Sequence, residues 1–344
     1  MNRLELLQKF VNDQAYNVFS SAFENCQKLQ DKATEISNRV LDEHRIPREQ
    51  VCLVAVGSLG RCEALDASDI DLIPVLADKN LLDGFKECDR SLRAAIGSEL
   101  SVKVSKGEDL TQATCVSAFA DASVIGGDED SVSSLTKRIL ILTESVSVGG
   151  GFNICDVRGN ILKGYSNMDR TRGRHVLSLV NDIARYFRTL CIEYKGKVDG
   201  DQKDWSTRNM KLRYSRKFWY FANLISISSI AEKHPRGQRA YEEELLKLFS
   251  LPPYERFLGE IGDSHSVEAG RILECFSVFL EFMACAERRN VLSKVPHDGR
   301  YAISMDNPFP ALKYNSDLMH SYIVDMLNGM NVSMRRRIID WFLL

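Results

Sequence analysis

The sequence predicts an α+β protein, in which a small α/β domain with a mixed sheet flanked by helices precedes an all-helical domain. Two short apolar runs, at 51–56 and 70–76, have the length and the β-branched content of buried strands. Helical patterns flank these runs up to about position 165. From position 175 onward, apolar residues recur at the three- and four-residue spacing of amphipathic helices.

Size and composition limit the class of protein. With 344 residues the chain is too long for one ordinary core, and we expect N-terminal helices at 1–47, the α/β domain at 48–165 and the helical domain at 166–344. Hydrophobic residues make up 44% and charged residues 27%, which is typical of a globular protein and excludes a disordered or fibrous one. A net charge of −2 excludes a molecule that binds nucleic acid over its whole surface.

The expected location is the cytoplasm, with no membrane partner. The first residues lack the apolar stretch of a signal peptide, and no apolar run has the roughly 20 residues that span a bilayer. The nine cysteines are scattered and form no Cys-x-x-Cys pair, which argues against a zinc site or a disulfide framework. Nothing in the sequence requires a dimer.

The elements follow from periodicity and from turn residues. In the first half we predict helix over 2–44, strands at 51–56, 70–76 and 100–105, and helices at 82–96 and 135–142. The stretch 116–125 fits neither pattern. In the second half we predict helices at 175–194, 206–231 and 262–290, and one more within the last 25 residues.

The first strand ends in a segment suited to binding an anion. Gly57 has no side chain, so a phosphate can approach the backbone there. Ser58 follows with a hydroxyl and an N–H at an expected helix start, which is a natural anion site. Arg61 lies one turn further on and can add a charge-assisted contact to a phosphate.

Two carboxylates open the second strand. Asp69 and Asp71 are two residues apart, so on a strand their side chains project from the same face. Carboxylates held together in this way favour a cation between them, and hard oxygen ligands suit Mg²⁺ (or Mn²⁺) shared with substrate phosphates. The pattern matches phosphoryl transfer assisted by two metal ions.

Four features follow one another along the chain and form a combined pattern. They are an apolar strand, Gly57-Ser58, a spacer, and Asp69-Ile70-Asp71 at the start of another apolar strand. This pattern resembles the nucleotidyltransferase superfamily that includes DNA polymerase β, PII-uridylyltransferase and the CCA-adding enzymes. The resemblance covers about 51–125. It implies that Gly57 and Ser58 hold a nucleoside triphosphate (NTP) and that Asp69 and Asp71 hold the metals.

The flanking residues Arg61, Glu63 and Ser68 look closest to the bacterial group near PII-uridylyltransferase. Through this resemblance Arg61 and Ser68 join the expected nucleotide-binding residues.

The chain departs from the superfamily at one position. Catalytic members place a third carboxylate on a later strand, and the central residue of the predicted strand 100–105 is Lys103. Three explanations stay open. A nearby acid can substitute, the strand assignment can be wrong, or the domain binds nucleotide without efficient turnover. The nearby acids are Glu99, Glu108 and Asp109.

The helical domain carries a basic segment. Residues 168–220 contain 13 Lys or Arg against six acidic residues, an excess of seven positive charges, while the rest of the chain carries −9. If these helices face the Gly57 segment, they can grip a triphosphate or a polynucleotide backbone, with Arg213 and Lys217 as expected nucleotide contacts. An ordinary solvated helix surface is the alternative.

The sequence therefore predicts an enzyme that transfers a nucleoside monophosphate from an NTP to an acceptor hydroxyl and releases pyrophosphate. The acceptor is a protein side chain, or a tRNA end as in nucleotidyltransferase toxins of toxin–antitoxin systems. A nucleotide-binding pseudoenzyme that regulates a partner is the first alternative, and a cyclic-oligonucleotide synthase is the second.

Overall fold

The computed structural model describes residues 3–65, 68–121, 125–126, 130–168, 176–199, 204–234, 239–261, 265–302, 304 and 306–343. Within these residues the chain has a small mixed sheet with flanking helices, followed by a mostly helical region. The predicted α+β fold class is confirmed.

The first half of the chain contains the sheet. Its helices are α1 Arg3–Gln8, α2 Asp13–Glu43, α3 Leu81–Leu100, α4 Ser117–Ala120, α5 Val132–Thr143 and α6 Ile154–Met168. Its strands are β1 Val51–Val56, β2 Asp71–Leu76, β3 Thr114–Cys115 and β4 Ser145–Gly150. Short 3₁₀ turns cover Arg48–Gln50 and Asp109–Thr111. The predicted N-terminal helix is divided, because the side chain of Asn12 accepts from the Ala15 N–H (2.9 Å) and begins α2 there.

The described strands form one sheet in the order β3-β2-β1-β4. β1 is antiparallel to β2 and to β4, and β2 is parallel to β3. β1 is buried throughout, as its continuous apolar run predicts. On one face of the sheet, α2 and α3 cover alternate residues of β1 and β2, including Leu53, Ala55 and Leu72.

The predicted third strand at 100–105 is wrong. α3 continues to Leu100, and Ser101 follows in the left-handed region with φ of 53°. Only Val104 makes an isolated bridge, parallel to Ile70, and the strand that continues the sheet is β3 at Thr114–Cys115. The alternation of apolar and polar residues over 100–105 is typical of a strand, but the first of these residues, Leu100, is the last residue of α3.

The second half is helical. Its helices are α7 Leu177–Asp199, α8 Trp205–Lys211, α9 Lys217–Lys233, α10 Arg239–Phe249, α11 Pro253–Ile261, α12 Ser266–Ala284, α13 Ala286–Ser293, α14 Phe309–Gly329 and α15 Val332–Ile338. A π-turn at Leu212–Arg216 joins α8 to α9, and another covers Ile339–Leu343. The helix predicted at 262–290 is divided at Cys285, and the last predicted helix at Met330, because both residues have extended backbone.

The chain separates into two compact units. The sheet unit contains Ala22–Asp182 and His234–Pro252, and the helical unit contains Met1–Ser21, Ile183–Lys233 and Pro253–Leu344. In the helical unit, stacked rings such as Tyr214 on Phe279 (4.6 Å between centroids) form the core. Along the described chain, no helix combines the length and the apolar character needed to cross a bilayer. The domain boundaries at 47 and 165 stay predictions.

Candidate active site

The chain turns sharply where β1 ends, and two glycines allow this glycine turn (residues 57–62). Gly57 has a φ of +79°, a conformation that side chains disfavour. Its N–H donates to the carbonyl oxygen of Glu144 (3.2 Å). A Cβ built on Gly60 would lie 2.1 Å from the same oxygen. The turn is therefore held against the junction of α5 and β4.

The glycine turn is not the start of a helix, and that expectation for Ser58 is wrong. The Arg61 N–H donates to the Gly57 carbonyl (3.0 Å) and the Glu63 N–H donates to the Ser58 carbonyl (2.9 Å), which closes the segment on itself. The Ser58 hydroxyl is half-buried and, within the described chain, hydrogen-bonds no protein group. It is therefore available to a ligand.

Asp69 and Asp71 form the aspartate pair, next to the glycine turn. Asp71 is paired with Val56, the residue before the turn. The Oδ2 of Asp71 lies 3.6 Å from the position that a Cβ on Gly57 would take. Both aspartates are exposed, whereas Ile70 is buried, so the two carboxylates project from the face opposite the α2–α3 layer. Asp71 is thus a direct neighbour of Gly57 in the structure.

The acids considered as third ligand do not join the aspartate pair. Glu99 forms an ion pair with Arg39 of α2, in the helix layer that covers the opposite face of the sheet. Glu108 and Asp109 are exposed around the 3₁₀ turn, beyond Val104. Among the described residues, no group of three or more His, Cys, Asp or Glu side chains is arranged to hold a metal ion.

Arg61 belongs to the glycine turn, and its side chain is buried. It is 5% exposed, its Nε donates to Glu63 (3.0 Å), and its Nη1 donates to the fully buried Glu144. Burial lowers the pKa of the Arg61 guanidinium, but the two carboxylates outweigh this effect and the pKa is raised overall. Arg61 thus stabilises the turn from within, and we leave it out of the proposed phosphate contacts.

Glu144 is the residue that sequence reasoning missed. Its carbonyl binds Gly57 and its carboxylate binds Arg61, so it contacts both ends of the turn. The available signal was a single acid within the apolar stretch 139–148, where burial requires a charged partner.

Ser68 closes a short turn before the aspartate pair. Its Oγ accepts from the Leu65 N–H (2.8 Å), and its own N–H donates to the Leu65 carbonyl (2.8 Å). These bonds orient the chain that enters β2. A contact from Ser68 to nucleotide stays a prediction.

Arg213 and Lys217 lie in the helical unit, at and just after the π-turn between α8 and α9. Arg213 donates to Asn209 (2.8 Å) and to Asp317 of α14 (3.2 Å), and Lys313 donates to the other Asp317 oxygen (2.6 Å). Burial lowers the pKa of Lys217, and the nearby Arg213 lowers it further. The structure thus shows a basic cluster at an irregular helix turn, a feature that is frequent at functional sites.

The chemistry of the side chains at this site indicates which kind of ligand it can bind. Two hard carboxylates beside a turn in which Gly57 has no side chain suit a divalent cation that also contacts phosphate oxygens. The donor chemistry of Asp69 and Asp71 therefore fits Mg²⁺ or Mn²⁺.

Residues 5–98 match the family described as "Putative nucleotidyltransferase DUF294". The matched segment contains β1, the glycine turn, the aspartate pair and β2, and it ends before Lys103. No curated protein and no solved structure matches the chain significantly. The family match supports a nucleotidyltransferase domain in this segment, and with it a general nucleotidyl-transfer activity.

Proposed function

We propose that the protein is a Mg²⁺-dependent nucleotidyltransferase that moves a nucleoside monophosphate from an NTP to an acceptor hydroxyl. The observation that carries the proposal is the position of Asp71 beside Gly57, 3.6 Å from where a Cβ would be. The glycine turn and Asp71 are thereby direct neighbours. The match of residues 5–98 supports the same reaction class.

In this proposal each group has one task. Asp69 and Asp71 bind the cation, which neutralises charge on the phosphates when bound. The Gly57 backbone and the Ser58 hydroxyl hold phosphate oxygens. The acceptor oxygen forms a bond to the α-phosphorus while the bond to the bridging oxygen of the departing pyrophosphate breaks, and the acceptor proton passes to solvent.

The proposed kind of acceptor rests on the positive charge of residues 168–220. The excess of positive charge in 168–220, which includes Arg213 and Lys217, suits a polyanionic partner. A tRNA end is such an acceptor, and a protein hydroxyl is the other candidate, in line with the PII-uridylyltransferase resemblance. Arg213 and Lys217 are also the proposed triphosphate contacts of the helical unit.

A second candidate function rests on Lys103. No described third carboxylate joins the aspartate pair, and Lys103 stands in the segment bridged to Ile70. A domain of this kind can bind NTP and regulate a partner without efficient turnover.

One experiment tests both candidates. The protein is incubated with each α-³²P-labelled NTP, Mg²⁺ or Mn²⁺ and a cell lysate, and protein and RNA are separated and counted. The variant Asp69→Asn/Asp71→Asn removes the proposed ligands. Asp31→Asn, an exposed aspartate on α2 of the same unit, is the matched control.

We expect label on protein or RNA with the wild type and with Asp31→Asn, and at least a hundredfold less with the double variant. Saturable NTP binding without any transferred label would support the regulatory candidate and contradict the enzyme. A labelled cyclic product would instead indicate cyclic-oligonucleotide synthesis.

A further inference from the structure

Lys103 lies directly across from Asp69. The Ile70 N–H donates to the Lys103 carbonyl (2.8 Å), and the Ser105 N–H donates to the Ile70 carbonyl (3.1 Å). These two bonds set Ile70 opposite Val104 in parallel register. Lys103 is therefore the cross-strand neighbour of Asp69, at the roughly 5 Å spacing of adjacent strands.

Lys103 also projects from the same face as the aspartate pair. Ile70 and Val104 both pack into the core below α2 and α3. Side chains alternate along extended chain, so Lys103 lies on the opposite face, where Asp69 and Asp71 are exposed. Lys103 is itself exposed and makes no ion pair within the described part of the chain.

We propose that the Lys103 ammonium occupies the role of a second cation, so that Asp69 and Asp71 bind one divalent cation with the NTP. This inference rests on the proposed function. Asp69, Asp71 and Lys103 together carry two negative charges and one positive charge. One divalent cation then gives these groups a small net positive charge, which suits a triphosphate. A second divalent cation would be repelled by both the first cation and the ammonium.

A lysine is suited to this role. Its ammonium group carries three hydrogen-bond donors on a flexible side chain. It can therefore reach a phosphate oxygen that a metal ion held by fixed ligands could not reach. Other exposed lysines of the sheet unit, such as Lys79 and Lys106, lie outside the strands and the bridge of the described chain. The position of Lys103 is thus what distinguishes it from an ordinary solvated lysine.

The test counts metal ions without turnover. Free Mn²⁺ is titrated by electron paramagnetic resonance in the presence of protein and a saturating NTP analogue with a methylene bridge between the α- and β-phosphates. Lys103→Glu supplies a carboxylate at the proposed position. Lys106→Glu makes the same charge change three residues away, at another exposed lysine.

We expect one Mn²⁺ per bound nucleotide for the wild type and for Lys106→Glu, and two for Lys103→Glu. Lys103→Met is expected to weaken nucleotide binding roughly tenfold, with an unchanged thermal unfolding midpoint because the side chain is exposed. Two Mn²⁺ in the wild type, or one in Lys103→Glu, would overturn the proposal while leaving nucleotidyl transfer intact. Absence of both nucleotide and Mn²⁺ binding in the wild type would contradict the proposed function and overturn this inference with it.

Discussion

Gly60 shows how a single absent side chain sets the geometry of the proposed phosphate site. The backbone at Gly60 approaches the Glu144 carbonyl so closely that a Cβ would be 2.1 Å from the oxygen. The obstacle is backbone, which cannot rotate away as a flexible side chain can. The position of the turn therefore depends on glycine at this residue.

Gly60→Ala is expected to lower the free energy of unfolding by roughly 1–3 kcal/mol, the usual cost of forcing extra volume into a packed region. It should also weaken NTP binding, because the turn must move. Gly84→Ala is the matched control. A Cβ on Gly84 meets nothing within 4 Å on the exposed side of α3, so this change should raise stability by about 0.5–1 kcal/mol. Equal effects in urea unfolding would contradict this account of the turn.

At the scale of elements, a buried ion-pair cluster joins the glycine turn to the junction of α5 and β4. Arg61 is shared by Glu63 and Glu144, and all three are below a tenth exposed. Their charges have little access to water, so each depends on the others. The cluster therefore ties the glycine turn to Glu144, the residue before β4.

Arg61→Met should destabilise the sheet unit by roughly 3–5 kcal/mol, because it leaves two buried carboxylates without their cation. Arg39→Met is the matched control, since it removes the same residue type from an exposed pair with Glu99. We expect only a small change there, because exposed pairs are screened by water. Urea unfolding of the two variants measures the difference, and a similar loss in both would show that burial is not what matters.

In the basic cluster of the helical unit, Arg213 of the π-turn contacts Asp317 of α14, and the burial of Lys217 has a cost in stability. Burial lowers the pKa of Lys217 below its ordinary value of 10.5, and Arg213 adds to this effect. Between the folded pKa and 10.5 the unfolded chain therefore binds more protons, so stability rises as pH rises through this window. Below it, the charged Lys217 destabilises the fold by a constant amount.

Lys217→Met should accordingly raise the free energy of unfolding at pH 7 and remove the rise in stability toward pH 10.5. If Lys217 contacts the triphosphate, the same variant binds NTP more weakly. A gain in stability together with a loss of binding is expected when a functional residue is replaced. Lys294→Met, at an exposed lysine of the helical unit, should change neither property. A loss of stability at pH 7 in Lys217→Met would contradict the assigned burial effect.

At the scale of the whole molecule, the parts that sequence predicted well are those decided locally. The length and β-branched content of the apolar run 51–56 favour a buried strand, and the Asp-x-Asp spacing places both carboxylates on one face of an extended chain. The fold class follows from the same two patterns together with the helical spacing after 175.

The parts that sequence could not predict depend on distant residues. Whether 100–105 or 114–115 extends the sheet depends on where α3 ends, and Ser101 in the left-handed region ends it after Leu100. One of the two carboxylate partners of Arg61, Glu144, is 83 residues away, so no local pattern reveals that this residue also neutralises the arginine. The roles of single residues could therefore be assigned only from the tertiary structure, even where the sequence motif was clear.

The central claim is that the aspartate pair and the glycine turn carry nucleotidyl transfer. The most direct measurement compares α-³²P- and γ-³²P-labelled samples of the same NTP with wild-type protein, lysate and Mg²⁺, with pyrophosphate measured in parallel. We predict that acceptor label comes from the α position alone, in equal amount to the pyrophosphate released, and that Asp69→Asn/Asp71→Asn abolishes both. Acceptor label from the γ position, or transfer that survives the double variant, would contradict the claim.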